Sequence, residues 1–159
     1  LQGYPLDEIE VTLAHELGHH LHHDIPKLMA IQILTFLMAF YLANLALKLG
    51  VALFSLRGVA DLTGLPWLIL VLAAVMAALQ PLLNWYNRHI ELAADKRALE
   101  LSHNPQAFID LMAKLTEQNL QEAEPNRWAK LLFYDHPSCS ERVRLAHNYG
   151  QKSLLKSEA

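Results

Sequence analysis

The residues best suited to chemistry lie close together near the start of the chain, in the run His15-Glu16-Leu17-Gly18-His19. On a helix, His15 and His19 are about one turn apart on the same face, so both imidazoles can reach a single metal ion. Glu16 is one step round the helix and lies beside the same ion. Its carboxylate can take a proton from a water at the metal, which is the chemistry of metal-assisted hydrolysis.

A His-Glu-x-x-His pattern on a helix is typical of zinc peptidases, although the five-residue pattern also occurs by chance. The chain has 9 histidines, and the alternative is a histidine-rich helix end that faces water. A second register, His19 with His23, could bind a metal but has His20 where the glutamate should be. We therefore expect His20, His22 and His23 to be solvated or to lie at the level of lipid headgroups.

A catalytic zinc ion usually has three protein ligands and one position open to water, so the chain must supply one more ligand after His19. We assign this ligand to Glu91. Asp95 is four residues further on and shares its helical face. There it can accept a hydrogen bond from the second nitrogen of a ligating histidine and so orient the imidazole. The alternative, two solvated acids near Lys96 and Arg97, would be preferred without the preceding motif.

The composition is apolar for a soluble domain. Hydrophobic residues make up 53% and charged residues 18% of the 159, whereas soluble domains average about 25% charged. The length predicts one domain, or one domain with a membrane insert. A net charge of −3 gives no basic field that would attract nucleic acid. The single cysteine, Cys139, excludes an internal disulfide and fits a reducing compartment.

Two long uncharged runs account for the excess of apolar residues. They cover residues 28–47 and 65–83, and at 1.5 Å per residue each is long enough for a hydrocarbon core of about 30 Å. Trp67 lies at one end of the second run, with Trp85 and Tyr86 at the other, where interfacial aromatic residues are expected. A buried helical hairpin in a large soluble core is the alternative interpretation.

The candidate metal site requires two membrane crossings and not one. If residues 28–47 and 65–86 both span, the chain returns to the side that it left, and Glu91 can meet the two histidines. A single crossing would place the bilayer between them. The connecting residues 48–64 include three glycines, an arginine and an aspartate, and we expect them to form a loop.

Helix start and stop signals divide the remaining chain into shorter helices, and no strand pattern is present. The first helix is expected over about residues 6–23. The start signals are Asp7 with Glu10 and Ser138 with Glu141 as capping boxes, and Asn104 as the N-cap residue before Pro105. Residues 128–134 are expected to form a short helical turn that packs inward. Gly150 is expected to end the last helix, with a frayed tail after it.

The order of these motifs resembles that of the integral-membrane gluzincin metalloproteases, most closely the type I CAAX prenyl endopeptidase family. The resemblance covers about residues 7–146. It includes His-Glu-Leu-Gly-His, two apolar helices, Glu-Leu-Ala-Ala-Asp at 91–95 and His-Pro-x-x-x-Glu-Arg at 136–142. The related bacterial stress-linked membrane proteases share this order. The resemblance implies one Zn²⁺ per chain, with His15, His19 and Glu91 as ligands, Glu16 as general base and Asp95 as outer-shell acid.

The resemblance also gives roles to two late residues. His136 matches a histidine that contacts the substrate backbone or the developing oxyanion, and Arg142 matches an arginine that organises the site. From the residues alone, a histidine in a His-Pro turn before a helix is as consistent with a structural turn as with an oxyanion donor. A thiol nucleophile at Cys139 is a further alternative that the metal site makes unnecessary.

We therefore predict an all-α chain: a single zincin-like helical metalloprotease domain over residues 1–159, interrupted by a two-helix transmembrane hairpin. The expected partners are a peptide or protein substrate and the lipid bilayer, with no nucleic acid. Lys and Arg are slightly more frequent near the membrane on the catalytic side than on the opposite side, which favours a cytoplasmic location for the catalytic side.

Three alternative functions stay open: a membrane-protein quality-control protease, a non-catalytic zinc-binding membrane module, and a soluble helical protease. The sequence has no initiator Met and no signal peptide, so we expect it to be a piece of a longer protein. Members of the resembling family have further membrane helices and a substrate-binding edge strand before the zinc helix, and neither is present here. The choice of substrate therefore stays open, although the resemblance favours processing of CAAX-type C-termini over general turnover of membrane proteins.

Overall fold

The computed structural model describes residues 3–120 and 122–157, and within these residues it is helical with no strand. The predicted all-α class is confirmed. The elements in chain order are α1 (Leu6–Leu21), α2 (Asp24–Phe54), a 3₁₀ turn (Leu62–Gly64), α3 (Leu65–Ser102), α4 (Pro105–Gln118), α5 (Arg127–Phe133) and α6 (Cys139–Ser157).

The chain folds as two compact units. The first combines the N-terminal segment as far as Asp24 with the segment from Leu83 onwards, and the second is Ile25–Leu82. All the residues of the candidate metal site belong to the first unit, although they lie on both sides of the second unit in the sequence.

The core of the first unit is formed by α1, α3, α4 and α6. Its most buried apolar side chains include Val11, Leu99 and Phe108. On α4, Phe108, Leu111 and Met112 follow the spacing of one helix face, and all three are buried. This packing supports the segment of α3 that contains Glu91 and Asp95.

The second unit contains α2 and the apolar half of α3. Both helices are long and apolar enough to cross a membrane, with mean hydropathies of 1.9 and 2.3. Only 17% and 6% of the residues in these apolar windows are buried, so neither resembles the core helix of a soluble protein. The two helices meet where the Trp67 indole donates to the Ala46 carbonyl at 2.7 Å. Gly50 permits this approach, because a Cβ atom there would lie 2.6 Å from the indole.

Several predicted boundaries are wrong. The first helix ends at Leu21, two residues earlier than expected. Residues 48–54 extend α2 and are not part of a loop, since this stretch is apolar apart from Lys48. The last helix continues through Gly150 to Ser157, because the following Gln, Lys and Leu residues favour a helix.

The helix caps agree only in part with the predictions. Asn104 caps α4 as predicted, with its side chain accepting from the Ala107 N–H at 3.0 Å. The Ser138 N–H donates to Glu141 at 3.1 Å, which is half of a capping box. The predicted box of Asp7 and Glu10 does not form, because α1 starts earlier, with Pro5 at the N-cap position.

The short helix α5 does not pack inward, which contradicts the expectation for this segment. None of its side chains is buried, and Trp128 and Phe133 are 72% and 78% exposed.

Candidate active site

The close approach of α1 to α3 brings the His-Glu-x-x-His segment against the carboxylates of α3. A Cβ atom on Gly18 would lie 3.2 Å from the Ala94 carbonyl oxygen and 3.2 Å from the Arg97 Cβ. Because Gly18 has no side chain, the backbone of α1 can lie close to that of α3 at Ala94, near the histidines of α1 and Glu91 of α3. Ala94 is fully buried at this contact.

The three predicted ligands come together at this contact. The Nε2 atoms of His15 and His19 are 3.1 Å apart, and the nearest oxygens of Glu91 are 3.4 Å and 3.6 Å from them. Four ligands at zinc-ligand bond lengths in a tetrahedron are separated by about 3.3–3.4 Å. The three side chains can therefore hold one zinc-sized ion with little rearrangement. Within residues 3–120 and 122–157, they form the one cluster of three or more His, Cys, Asp or Glu side chains close enough to share a metal ion.

A carboxylate lies behind His15. The Nδ1 atom of His15 is 3.0 Å from Oδ1 of Asp95. This is a hydrogen-bonding distance, although the ring N–H of His15 is not aligned with the oxygen. Arg142 binds the same carboxylate with two nitrogens, one of them Nε at 2.7 Å from Oδ2. Burial alone would raise the pKa of Asp95, but its contacts with His15 and Arg142 lower it. Asp95 is thus an anion held between α1 and α6.

A second carboxylate lies behind His19, and the spacing of the sequence motifs does not predict it. Asp24 Oδ2 is 3.0 Å from His19 Nδ1, and Asp24 is only 3% exposed. His23, the residue before it, has a left-handed φ of 53°. This left-handed residue separates α1 from Asp24, whose side chain lies against His19. The sequence feature that could have indicated this contact is a single acidic residue, Asp24, directly after the histidine-rich end of α1.

The electrostatics of the metal-free site favour a protonated histidine. Burial lowers the pKa of His15, but its close contacts with the carboxylates of Asp95 and Glu91 raise it more, to about 9. For Glu91, which lies beyond the apolar run of α3, burial raises the pKa and the contacts with His15 and His136 lower it below its usual value. In the metal-free protein, an anionic Glu91 thus lies beside a cationic imidazole. A divalent cation bound here would replace the proton of the imidazole as the positive charge next to Glu91.

The remaining predicted residues, Glu16 and His136, line the same cavity. His136 Nε2 is 3.7 Å from Glu91 Oε1, and its Nδ1 is 2.9 Å from Asp135. Glu16 is exposed and lines the cavity, one residue from His15. Both side chains can therefore reach a molecule bound next to the metal position.

The cavity has a volume of about 350 Å³ and two chemically different sides. One side consists of the polar residues around the metal position. The other side is mainly apolar and includes Phe108, Leu111, Met112 and Leu115. Such a cavity can accept an extended chain whose polar backbone faces the metal while an apolar side chain contacts the wall.

Comparison with known proteins agrees with this geometry. Residues 3–149 match the model of peptidase family M48. The chain is 31% identical to an uncharacterized metalloprotease, YhfN, of Bacillus subtilis, over 89% of this chain and 34% of that protein. It is 33% identical to a CAAX prenyl protease 1 homolog of Oryza sativa, over 86% and 32%. A protease HtpX homolog of Bacteroides fragilis is 32% identical, over 88% and 45%.

In each of these three comparisons the chain spans less than half of the relative's length. Residues 3–149, which the family model matches, include His15, Glu16, His19, Glu91 and Asp95.

Proposed function

Because the chain belongs to peptidase family M48, we propose that it is the metal-binding part of a zinc-dependent endopeptidase embedded in a membrane. The observation that most strongly supports this proposal is the meeting of His15, His19 and Glu91 at mutual distances of 3.1–3.6 Å. Two imidazoles and one carboxylate are a known ligand set of catalytic zinc.

Zinc bound by these three side chains would lower the pKa of a coordinated water and polarise the scissile carbonyl. Glu16 takes a proton from the attacking water and delivers it to the leaving amine. His136, which also lines the cavity, donates a hydrogen bond to the oxyanion that develops on the carbonyl. Asp95 and Asp24 orient His15 and His19 through the nitrogens that face away from the metal.

Replacement of Glu16 tests this mechanism. Glu16→Gln keeps the size of the side chain but removes its ability to accept a proton. We expect zinc binding to be retained and peptide cleavage to fall by about 10²–10⁴-fold. The measurements are zinc content and the rate of hydrolysis of a quenched fluorescent peptide by the protein in detergent.

The matched control is Glu10→Gln, which changes an exposed glutamate of the same helix and should leave the rate unchanged. A Glu16→Gln protein with the full rate would contradict the mechanism. Loss of cleavage in both variants would indicate damage to α1 rather than loss of a base. If the wild-type protein bound zinc but hydrolysed nothing, the alternative of a non-catalytic zinc-binding module would be preferred.

The proposed substrates are membrane-associated proteins, either at a CAAX-type C-terminus or more generally in membrane-protein turnover. A relative named a CAAX prenyl protease 1 homolog and another named a protease HtpX homolog both match the chain. The apolar wall of the cavity favours an apolar side chain next to the scissile bond under either proposal. Cleavage of a prenylated peptide but not of its unprenylated counterpart would select the first. We further propose that the two apolar helices form a multi-pass membrane segment, with the first unit on the cytoplasmic side.

A further inference from the structure

The helix α5 presents its apolar side chains to the outside. Trp128 and Phe133 are largely exposed, and Leu131 and Leu132 are each more than one-third exposed. None of the seven residues is buried. A short helix that gains so little from the protein core must be held by other interactions, or it must have a partner for its apolar side chains.

Polar side chains of α3 hold the backbone of α5. The Asn84 side chain donates to the Leu132 carbonyl at 2.9 Å. Arg88, one turn further along α3, donates to the Lys130 carbonyl at 3.0 Å and to the Tyr134 carbonyl at 2.5 Å. These carbonyl groups at the C-terminal end of α5 would otherwise lack partners within the helix. The position of α5 is thus fixed relative to residues 84–88.

Those residues directly follow the apolar run of α3. Residues 65–83 would cover about 28 Å along a helix axis, close to the thickness of a hydrocarbon core. The helix continues without interruption, so Arg88 lies about 8 Å beyond Leu83. That is the depth of the lipid headgroups. Trp85, on the same turn of α3, is half exposed.

We infer that α5 lies in the headgroup region of the bilayer crossed by α3, with Trp128 and Phe133 directed into the lipid. This inference rests on the proposed membrane embedding. Lipid is the occupant because the exposed apolar side chains of α5 are bound at the level where the lipid-facing surface of α3 ends. Tryptophan is favoured at that level. Arg127, exposed on the same helix, supplies a positive charge suited to anionic headgroups.

The membrane contact would position the mouth of the active site. Tyr134, whose carbonyl is bound by Arg88, is followed after one residue by His136, which lines the cavity. The segment from α5 to His136 is therefore attached to α3 and, through Trp128 and Phe133, to the lipid surface. A peptide that emerges from the bilayer next to α5 would meet the cavity directly.

The fluorescence of single tryptophans tests this inference, since the chain has only three, at positions 67, 85 and 128. Trp67→Phe with Trp85→Phe leaves Trp128 alone, and Trp67→Phe with Trp128→Phe leaves Trp85 as the matched reference. Each protein is reconstituted in phosphatidylcholine vesicles brominated near the headgroup or near the end of the acyl chain. We expect the shallow bromines to quench Trp128 about as strongly as Trp85, the deep ones to quench it less, and aqueous iodide to have little effect.

Quenching of Trp128 by iodide alone, with Trp85 still quenched by lipid, would overturn the inference and leave the membrane embedding intact. Protection of Trp128 from both quenchers would also overturn it, because a protein surface would then cover α5. Absence of lipid quenching at both positions would reject the embedding itself. If removal of Trp67, with its hydrogen bond to Ala46, prevents folding, the difference in quenching between the wild-type protein and Trp128→Phe gives the same answer.

Discussion

Both candidate histidine ligands have a carboxylate on the side away from the metal position, and the two carboxylates are held differently. Asp95 is bound by Arg142 from α6, whereas Asp24 is the first residue of α2. Such outer-shell groups fix the tautomer of a ligating imidazole, so that Nε2 presents its lone pair to the metal. The two carboxylates make separate predictions possible for the two ligands.

Asp24→Asn should weaken zinc binding by about 10–100-fold, because the neutral amide stabilises the correct His19 tautomer less well. The affinity is measured by competition with a chromophoric chelator. Histidine ¹⁵N chemical shifts of the metal-free protein report the tautomer directly, which a general loss of stability would not change in a folded protein.

The control for this variant is Asp110→Asn, an exposed aspartate on α4, which should not alter the affinity. Asp24→Glu should restore part of the affinity if the carboxylate itself is needed. Equal zinc affinities of the wild-type protein and Asp24→Asn would rule out the proposed role.

The stability of the metal-free protein should depend on pH through His15. Its pKa in the folded protein, about 9, lies above the ordinary value of 6.5. The contacts of protonated His15 with Asp95 and Glu91 therefore stabilise the fold fully below pH 6.5, and this stabilisation is lost as the pH rises through 9. Their contribution is on the order of 3 kcal/mol. Zinc requires the neutral imidazole, so zinc affinity should change in the opposite sense and fall as the pH decreases.

Thermal unfolding with and without a chelator, followed across this pH range, measures both effects. A metal-free protein whose Tm does not decrease between neutral and alkaline pH would contradict the first. His15→Gln should abolish the decrease, since glutamine has no proton to lose.

At the level of single residues, the sequence was informative where the spacing on one helix decides proximity. His15 and His19, and likewise Glu91 and Asp95, are four apart, and helix geometry places each pair on one face. Asp24 could not be found in this way because it lies beyond the end of α1. Its position depends on the left-handed turn at His23, which the sequence pattern did not indicate.

At the level of helices, the approach of α1 to α3 determines whether the ligands can meet. Gly18→Val should lower zinc affinity and Tm together, because its side chain would collide with the Ala94 carbonyl and the Arg97 Cβ. Gly18→Ala should have a smaller effect of the same sign, since the neighbours need to move by only a few tenths of an ångström. Zinc titration and thermal unfolding measure both quantities.

Gly58→Val is the control, because a Cβ atom at Gly58 has no neighbour within 4 Å. Unchanged zinc affinity in Gly18→Val would show that the spacing of the two helices does not control the site.

The positions of most helices can be predicted from apolar periodicity and capping residues, but what surrounds the apolar side chains of α5 cannot. Trp128, Leu131 and Phe133 are apolar, and the sequence alone does not distinguish burial in protein from contact with lipid. Likewise, the sequence predicts too early an end for α2, because Lys48 is the first charged residue after the apolar run. A lysine at a membrane boundary can extend its charged end into water while the helix continues.

For the whole molecule, the exposed apolar surface of α2 and α3 requires a nonaqueous environment. We expect the protein to remain in the membrane fraction after washing at high salt and alkaline pH, and to enter solution only with detergent. Recovery of folded, zinc-binding protein in buffer without detergent would support the alternative of a soluble helical protease. The two long apolar runs make this property predictable, as they do an inserted hairpin, whereas the boundaries of the two compact units, at Asp24 and Leu83, depend on contacts that the sequence does not show.

The order of the ligands along the chain has a consequence for biosynthesis. His15 and His19 leave the ribosome before the apolar segment, and Glu91 leaves after it. A nascent chain that has been translated only as far as α2 thus has two of the three proposed metal ligands, and the proposed base Glu16 beside them, but no complete site. The third ligand becomes available only once the whole hairpin has been made, so incomplete translation products lack the assembled centre.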